Sequence, residues 1–425
     1  MYHVYSLGLA LAFFLALPWF LWKGRATGKY LRTFRERMGR LPVYLNVDGD
    51  RSIWIHAVSV GEVLAARPLI TALKERFPAH RVFVSTTTMT GNAVARKNVR
   101  GTDGLFYAPF DWPGPVRKAL ETLNPALLVL VETELWPNLI HEARRRGTRV
   151  AVVNGRVSLR SFSRYRRVRR FLKRVLGDVD LFLMQGQAHA QRIREMGAPD
   201  ERVRVTGNLK FDAVAAARTP ERLARLILGD AHRHRPLWVA GSTVAGEEEI
   251  ILQAFHRVRE RLPETGLIVA PRHPERFAEV PALIEAAGFR CRRRTALEPG
   301  SWRDGEVLLL DSLGELAQLY SLATVVFVGG SLVPSGGHNI LEPAMAGKAV
   351  VVGPHMANFQ EIADQFRAEG AMVEVSSAEE LAREVLSLLT DDERRRRLGE
   401  RARSLIDRNR GALRGTVDAL SGLVA

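Results

Sequence analysis

Short apolar runs alternate with amphipathic segments along most of the chain, and this alternation predicts parallel β-sheets with crossover helices. The runs form two series, separated by an Ala- and Arg-rich stretch at 213–235 that lacks strand character and that we interpret as an interdomain connection. Helices are predicted between the strands, at 62–77, 135–146, 246–262 and 378–389. The predicted strands are 51–59, 81–88, 127–133, 149–156 and 180–186 in the first series, and 236–242, 266–274, 306–312, 324–331 and 348–355 in the second.

The first residues have a different pattern, because Val4–Trp22 is a 19-residue run without a charge. Such a run is long enough to cross a hydrocarbon core roughly 30 Å thick. A cleaved signal peptide is the alternative, but no Lys or Arg precedes the run and no clear small-residue cleavage site follows it. Seven cations follow between positions 23 and 40. The positive-inside rule therefore predicts a retained transmembrane anchor in a bacterial inner membrane, with the rest of the chain on the cytoplasmic side.

The length of 425 residues suits two domains with separate cores. We predict an anchor at 1–25, a Rossmann-like domain at 26–212, the connection at 213–235 and a second Rossmann-like domain at 236–425. The fold class is therefore α/β, with a cleft expected between the two domains. Ligands should bind outside the carboxyl ends of the strands, as they do in open parallel sheets.

Composition and charge narrow the function classes. A hydrophobic share of 46% with 25% charged residues is typical of a globular protein rather than a disordered one. The single cysteine, Cys291, excludes an internal disulfide and a multi-Cys zinc site. The formal net charge of +16 indicates an anionic partner, which charge alone leaves open among nucleic acid, acidic lipid and a phosphorylated small molecule.

Two acidic segments are candidate catalytic groups in the first domain. In HAVSVGEV, Glu62 stands where a strand turns into a helix, and the helix N-terminus favours the ionised form that a proton acceptor needs. In ETELWPN, Glu132 and Glu134 follow a wholly apolar strand. Burying an unpaired carboxylate there would be costly, so these acids should either pair with a cation or have a functional role. The structural alternative for Glu62 is a first-turn acid that only complements the helix dipole. For Glu132 and Glu134 it is that one of them caps the following helix while the other pairs with an Arg.

Cationic candidates occur in two further segments. Lys210 of TGNLKFD follows a Gly-Asn turn and can reach a phosphate, although an exposed Lys that binds nothing is the usual case. In VAPRHPER, Arg272, His273 and Arg276 leave the end of a strand, a placement suited to a phosphoryl or carboxylate group. No HExxH or similarly spaced acidic cluster is present, so we predict no metal and no cofactor.

The segment 325–355 contains the most informative pattern. A buried strand opens into a Gly-rich loop, and a helix is predicted to begin near His338–Asn339. Free backbone N–H groups at such a terminus form an anion site, and Gly336 and Gly337 permit close approach of a phosphate. Glu342, one turn later, can accept hydrogen bonds from ribose hydroxyls. We interpret the strand, loop, helix and acid together as a nucleotide site.

A basic segment at 160–174 has eight cations, no acids and interleaved aromatics at Phe162, Tyr165 and Phe171. This composition can bind nucleic acid or anionic lipid, with a solvated helix face as the default. Because it follows a predicted anchor, we favour lipid phosphates at an anionic membrane surface over RNA.

Taken in order, HAVSVGE, ETELWPN, GNLKFD, PRHPER and GGSL with GGHNILEPA resemble the bacterial 3-deoxy-D-manno-octulosonic acid (Kdo) transferases, across nearly the whole chain. The resemblance implies the GT-B fold, with two Rossmann-like domains facing a cleft. It also implies an inverting, metal-independent transfer of Kdo from CMP-Kdo to a lipid A precursor (lipid IVA), in lipopolysaccharide core biosynthesis.

The resemblance also implies roles for individual residues. Glu62 would be the general base, and Glu132 and Lys210 would stabilise the transition state. The CMP-binding set would be Pro271, Arg272, Leu313, Gly314, Glu315, Asn339, Ile340, Leu341 and Glu342.

Two other functions compete with this interpretation. The nearest is another GT-B enzyme, either a UDP-sugar transferase or an epimerase, because the fold does not dictate the donor. The second is a membrane-tethered nucleic-acid-binding protein, which only the charge supports. No recognisable RNA or DNA module accompanies that charge, so nucleic acid is not an expected partner.

Overall fold

The computed structural model describes residues 1–27, 33–99, 101–165, 168–214, 221–229 and 235–424. The chain divides into two compact units. Unit 1 comprises Met1–Ala213 together with Asn409–Ala425, and unit 2 comprises Val214–Arg408. Each unit is built around its own parallel sheet, so the predicted α/β class is confirmed. Within the predicted connection at 213–235, residues 215–220 and 230–234 lie outside the described residues, and Glu221–Leu228 forms a helix.

In the described part of unit 1, a seven-stranded sheet has the order β3-β2-β1-β4-β5-β6-β7. Its central strands are buried on both faces, which is why their sequences are near-continuous apolar runs. The strands are β1 (Ser52–His56), β2 (Arg81–Thr86), β3 (Gly104–Tyr107), β4 (Pro125–Val131), β5 (Arg149–Gly155), β6 (Leu181–Met184) and β7 (Val203–Val205). The helices are α1 (Tyr2–Thr27), α2 (Phe34–Arg37), α3 (Val60–Arg76), α4 (Met89–Asn98), α5 (Pro113–Leu123), α6 (Pro137–Arg145), α7 (Leu159–Tyr165), α8 (Arg169–Gly177), α9 (Gln187–Met196) and α10 (Leu209–Asp212).

Alternate side chains of the central strands enter different cores. Trp54 of β1 packs in one cluster with Phe83 and Leu128, whereas Ile53 and Ile55 pack in the cluster on the opposite face. This period of two is the geometry of a pleated strand covered on both sides.

In the described part of unit 2, a second seven-stranded sheet has the order β10-β11-β9-β8-β12-β13-β14. The central strand β8 therefore lies between β9 and β12. The strands are β8 (Leu237–Thr243), β9 (Gly266–Pro271), β10 (Arg290–Arg293), β11 (Glu306–Leu309), β12 (Val325–Val328), β13 (Ala349–Val352) and β14 (Val373–Glu374). The helices are α11 (Glu221–Leu228), α12 (Glu248–Arg261), α13 (Val280–Ala286), α14 (Leu316–Leu319), α15 (Leu341–Met345), α16 (Gln360–Ala368), α17 (Ala378–Thr390) and α18 (Asp392–Asn409).

The C-terminal helix α19 (Ala412–Ser421) belongs to unit 1 rather than to the predicted domain at 236–425. Its Ala412 and Leu420 are buried in a core cluster of unit 1. Asp212, at the end of α10, accepts hydrogen bonds from the backbone N–H groups of Gly411 and Leu413 at 2.9 Å each. Core packing and this cap fix the last helix to the first unit, and nothing in its own composition indicates that return.

The N-terminal helix α1 forms as predicted, but its first turns are bonded to unit 1. Tyr2 Oη donates to Asp178, and Tyr5 Oη donates to Asp111, both at 2.9 Å. Among the residues that the structure describes, no helix combines the length and the apolar character needed to cross a membrane. The transmembrane anchor predicted at 1–25 is therefore not supported.

Candidate functional site

Glu62 lies at the start of α3, where it forms a reciprocal cap with Ser59. The Ser59 side chain is the N-cap and accepts from the Glu62 backbone N–H at 3.5 Å. In return, Ser59 Oγ donates to Glu62 Oε1 at 2.7 Å, and the Val58 N–H donates to Glu62 Oε2 at 2.7 Å. The segment Ser59–Glu62 thus has the S-x-x-E sequence of a capping box, with the backbone bond to Glu62 donated by Val58 rather than by Ser59. Glu62 therefore has a structural role as a first-turn acid, because its carboxylate stabilises the N-terminus of α3.

The same carboxyl group has an unusual affinity for protons. Only 6% of Glu62 is exposed, and this burial raises its pKa to about 7. The hydrogen bonds from Ser59 and Val58 lower the pKa, while the charges of Glu132 and Glu134 raise it further. The helix N-terminus was expected to favour the ionised form, but burial has the largest effect on this pKa and favours the protonated form. A carboxyl group whose pKa lies near neutral pH is suited to accept a proton in catalysis.

The structure brings Glu132 and Lys210 together. Glu132 directly follows β4 and has φ of 60°, a left-handed conformation that is rare for a non-glycine residue. Its Oε1 lies 3.9 Å from Lys210 Nζ, and the two side chains are 22% and 19% exposed. A cation and an acid held in such a half-buried place can stabilise charge that develops in a transition state.

Lys210 is held in place by polar contacts of its backbone. Asn208 Oδ1 accepts from the Lys210 N–H at 3.0 Å and caps the short helix α10. Asn154, at the end of β5, accepts from the Leu209 N–H at 2.9 Å. Asn154 itself is fully buried and has φ of 53°. Strained polar residues at adjacent strand ends are a frequent mark of functional sites.

Two further residues lie in this region: Glu134, which the sequence predicted as a candidate beside Glu132, and His56, which it did not. Burial raises the pKa of Glu134, whose Oε2 accepts from Trp136 Nε1 at 2.9 Å. His56, at the end of β1, is fully buried and has its pKa lowered to about 3, so it is neutral. Its ring lies 4.8 Å from the Trp136 ring in an edge-on arrangement. His56 opens the HAVSVGE motif, which was the available signal for it.

In unit 2, the PRHPER segment follows β9 and divides into exposed and buried parts. Pro271 ends the strand and is buried, whereas the Arg272 and His273 side chains are exposed. Arg276, by contrast, is 9% exposed and bonds to the buried Glu248. The prediction that Arg276 contacts an anionic ligand is therefore wrong, because a buried carboxylate already binds its guanidinium group.

The predicted nucleotide loop ends in a shorter helix than expected. Helix α15 begins at Leu341 rather than near His338–Asn339. Asn339 accepts from the Leu341 N–H at 3.0 Å and donates to Glu342 Oε1 at 3.1 Å. Ile340 and Leu341 are 0% and 1% exposed, so any contact with a ligand is limited to their backbone. Asn339 and Glu342 keep half-buried polar side chains at this strand end.

The segment Leu313–Glu315 lies at another strand end, after β11. Leu313 is 63% exposed, and Gly314 has φ of 90°, which favours glycine. Glu315 accepts from Arg294 Nη2 at 2.7 Å and also from Ser312 Oγ. Because its carboxylate is bonded within the protein, the backbone of this turn is the part that can face a nucleotide base.

Two of these segments lie near each other, because β9 and β12, which they follow, both pair with β8, and their charged groups interact. Burial raises the pKa of Tyr320, which is also raised by Glu342 and lowered by Arg272. Burial lowers the pKa of His338 to about 4, and the charges of Arg272 and His273 lower it further. The PRHP segment and the Gly-rich loop therefore lie together at the carboxyl ends of the strands of the second sheet. Tyr320 and His338 are additional candidates that sequence reasoning did not select.

The basic segment has one exposed and one buried side. Arg166 and Arg167 lie outside the described residues. The aromatic side chains of this segment pack against a core cluster of unit 1 and do not share the exposed side with the cations. These are Phe162, Tyr165 and Phe171. The cations of α8 that remain exposed are Arg169, Arg170, Lys173 and Arg174.

No group of three or more His, Cys, Asp or Glu side chains is arranged to hold a metal ion in the part of the chain that the structure describes.

Comparison with known proteins gives two family matches. Residues 32–213 match the family model described as 3-deoxy-D-manno-octulosonic-acid transferase (kdotransferase). Residues 248–405 match the family model described as glycosyl transferases group 1. The two matches fall in unit 1 and unit 2 respectively.

Two curated relatives cover most of the chain, and both are named 3-deoxy-D-manno-octulosonic acid transferase. The protein from Haemophilus influenzae is 37% identical over 400 residues, which is 92% of this chain and 91% of the relative. The protein from Bordetella pertussis is 36% identical over 428 residues, which is 97% of each chain.

Among solved structures, a UDP-GlcNAc 2-epimerase from Neisseria meningitidis with UDP-GlcNAc bound matches with a TM-score of 0.58. The match covers 87% of this chain and 100% of that chain, at 13% sequence identity. At this identity the likeness shows the fold alone.

Proposed function

We propose a specific reaction for this chain, which belongs to the 3-deoxy-D-manno-octulosonic acid transferase family: Kdo is transferred from CMP-Kdo to a lipid A precursor in lipopolysaccharide core biosynthesis. The transfer inverts the anomeric carbon, and the enzyme has the GT-B fold. The observation that carries the proposal is the buried Glu62 carboxyl group, whose pKa lies near neutrality.

Glu62 acts as the general base. Its carboxylate takes the proton from an acceptor hydroxyl, and the resulting oxygen nucleophile forms a bond to the anomeric carbon of Kdo. The bond between that carbon and the phosphate oxygen breaks on the opposite face, and CMP leaves with the electron pair. A base with pKa about 7 is ionised in a useful fraction of molecules at neutral pH and still binds a proton well.

Charge on the departing phosphate and on the sugar needs stabilisation. Lys210 supplies a cation, and Glu132, 3.9 Å from its ammonium group, fixes that cation in position. In unit 2, the exposed Arg272 guanidinium is suited to a phosphoryl group. Because CMP leaves as a monophosphate, these cations can do without a divalent ion, and we propose a metal-independent reaction.

The nucleotide occupies the strand ends of the second sheet. Asn339 and Glu342 offer polar side chains for the ribose, and the turn at Leu313–Glu315 offers backbone groups for the base. Pro271 and the backbone of Ile340 and Leu341 complete the CMP-binding set that the family resemblance implies. These assignments rest on the position of the segments at the carboxyl ends of the strands of the second sheet.

The lipid acceptor places the enzyme at the cytoplasmic surface of a bacterial inner membrane. Helix α1 presents an exposed apolar stripe, and Tyr2 and Tyr5 on its other side pack against Phe171 of α8. Helix α8, which carries the exposed cations, therefore packs against the first turns of α1. An apolar face beside cations suits a helix that lies in the surface of an anionic bilayer. The stripe consists of Val4, Leu7, Leu11, Phe14 and Leu15, which are 62 to 75% exposed.

One assay tests the reaction. CMP-Kdo is generated in place and incubated with a tetraacylated lipid A precursor and the enzyme in the presence of EDTA, and the product mass is measured. A gain of one or more Kdo units is expected, and NMR of the product should show the inverted anomer. A folded enzyme that gives no gain with this donor, but transfers a sugar from a UDP-linked donor or epimerises it, would refute the proposal.

A further inference from the structure

Two consecutive acids, Glu247 and Glu248, are completely buried at the start of α12. Both are 0% exposed, whereas the next residue, Glu249, is exposed. Burying a carboxylate is costly unless hydrogen bonds or a cation compensate. The two residues follow β8, the central strand of the second sheet, and the family resemblance assigned them no role. Their contacts explain why they are buried.

The Glu247 carboxylate accepts only backbone N–H groups among its identified bonds. Its Oε2 accepts from Val244 at 3.1 Å and from Gly330 at 2.7 Å. Its Oε1 accepts from Ser331 and from Leu332, both at 2.9 Å. Three successive amides of the Gly-rich loop thus converge on one side chain, in the way that backbone nests bind anions. These amides bind Glu247 and do not face a ligand.

The loop is shaped to allow this approach. A Cβ atom on Gly329 would lie 2.8 Å from Glu247 Oε2 and 2.5 Å from the Ser242 carbonyl oxygen. A larger residue at this position would separate the loop from the carboxylate. Ser242 has φ of 57°, so β8 ends in a strained turn at the same place.

Glu248 binds the PRHPER segment, which lies on the other side of β8 from the Gly-rich loop. Its Oε1 accepts from Thr243 Oγ1 at 2.8 Å and from Arg276 Nη1 at 2.5 Å. Arg276 belongs to the single helical turn Pro274–Phe277, which directly follows Arg272 and His273. Glu248 therefore fixes the segment from which the exposed Arg272 projects.

Sheet order explains how adjacent residues reach two different loops. Strand β8 pairs with β12 on one side and with β9 on the other. The Gly-rich loop follows β12, and the PRHPER segment follows β9. A pair of side chains at the end of the central strand is placed between both loops.

We propose that Glu247 and Glu248 are positioning residues that hold the two nucleotide-facing loops of unit 2 in their binding arrangement. This proposal rests on the proposed function for the identity of the ligand. Glu247 sets the path of the Gly-rich loop toward His338 and Asn339, and Glu248 sets the direction of Arg272. Neither residue touches the nucleotide.

The test compares three amide variants of one tripeptide. In Glu247→Gln, one carboxylate oxygen becomes an NH₂ donor that faces two backbone N–H groups, so the loop must move. Glu248→Gln removes the negative charge that binds Arg276. Glu249→Gln makes the same change on an exposed side chain and serves as the control. We expect Glu247→Gln to weaken CMP binding, measured by calorimetry, about tenfold or more, and Glu248→Gln to weaken it by a smaller factor.

Kinetics and hydrogen exchange give independent readouts. With CMP-Kdo, Glu247→Gln should raise KM more than it lowers kcat, whereas Glu249→Gln should match the wild type. Hydrogen exchange should show protected amides at Gly330, Ser331 and Leu332 in the wild type, and fast exchange at these positions in a folded Glu247→Gln protein.

Two outcomes would overturn the proposal: wild-type CMP affinity in Glu247→Gln, or unprotected loop amides in the wild type. The exchange measurement on the wild type decides even if the variant does not fold. Absence of CMP binding by the wild type would reject the proposed function instead, and the exchange data would still test the contacts of Glu247.

Discussion

At the scale of single residues, Glu62 combines two tasks that conflict. As part of the capping box with Ser59, it accepts hydrogen bonds that favour its ionised form. As a buried group, it resists ionisation, and its pKa of about 7 is the balance of the two. In a group with a raised pKa, the folded protein binds the proton more tightly than the unfolded chain. Proton binding at Glu62 therefore stabilises the folded protein fully below the unfolded pKa near 4.5. This contribution is lost as the pH rises through about 7.

This balance predicts the effect of Glu62→Gln. The variant lacks a base, so kcat should fall by about 10² to 10⁴-fold. Wild-type activity should rise with pH through about 7 as Glu62 loses its proton, and this step should be absent from the residual activity of the variant. Steady-state assays from pH 5.5 to 8.5 measure both effects.

The control for this experiment is Glu75→Gln, an exposed acid on the same helix. Its kcat and pH profile should equal those of the wild type. Turnover by a folded Glu62→Gln protein at the wild-type rate would exclude Glu62 as the base.

Lys210 provides a second prediction at this scale. Replacing it by Met removes a half-buried cation while leaving the aliphatic part, so kcat should fall by about 10² to 10³-fold. Lys97→Met, an exposed lysine in the same unit, is the control. A higher KM for the lipid acceptor with an unchanged kcat would contradict a role in the transition state.

The sequence was sufficient to place these residues, because acids and cations at the ends of apolar strands are conspicuous. It did not reveal their electrostatics. The pKa of Glu62 depends on how tertiary packing excludes water, and the burial of Arg276 depends on Glu248, which is distant along the chain. Ile340 and Leu341 lie in a matched motif, yet their side chains belong to the core.

At the scale of elements, helix α1 has two sides of different character. One side bonds to unit 1 through Tyr2, Tyr5 and Ser6, whose hydroxyl bonds to the Asn138 side chain of the ELWPN motif. The other side is the apolar stripe. The sequence predicted a helix here correctly, but a run without charges does not distinguish a spanning helix from one that packs by its polar hydroxyls.

The apolar stripe predicts a change in membrane binding. Replacing Leu7, Leu11 and Phe14 by Ser removes large exposed side chains without touching the bonded side of the helix. Sedimentation with vesicles that contain anionic phospholipid should show at least tenfold weaker binding, because each buried apolar side chain contributes about 1.5–3 kcal/mol. CMP affinity should stay unchanged.

Charge reversal of Arg169 and Arg170 to Glu should weaken the same vesicle binding, most clearly at low ionic strength. Arg257→Glu in unit 2, also an exposed arginine, is the control. Equal loss of CMP affinity in the double variant would count against a membrane-facing role for α8.

Sequence patterns predicted a strand in FRCRRRT around Cys291, where β10 lies, but they missed β3, β7 and β14. These three missed strands are two to four residues long and lie at or near sheet edges. Strands this short carry little periodicity, and pairing with a neighbour rather than their own composition determines them. The long central strands were predicted because burial on both faces demands continuous apolar runs.

At the scale of the whole molecule, each unit has its own sheet and core, and the chain passes from unit 1 to unit 2 and back. Asp212 and Gly411 mark the two places of passage, and they are hydrogen-bonded to each other within unit 1. Two-domain organisation followed from length and pattern, but the return of the last helix did not.

The Asp212 cap predicts a loss of stability in Asp212→Ala. Two N–H groups at the start of α19 lose their acceptor, so unit 1 should be destabilised by about 1–2 kcal/mol in urea unfolding. Asp418→Ala, an exposed acid on the same helix, should change stability by less than about 0.5 kcal/mol. Equal unfolding midpoints for Asp212→Ala and the wild type would show that the cap is unimportant.

The position of α19 has a consequence for synthesis on the ribosome. Unit 1 begins first, but its core is completed only by Ala412, Leu420 and Val424, which are translated after the whole of unit 2. Unit 2 lies between the two parts of unit 1, so it can fold while the growing chain is still attached. The core of the unit that holds Glu62 is therefore completed only after unit 2 has been synthesised, and a truncation that removes α19 would spare unit 2 but leave unit 1 open.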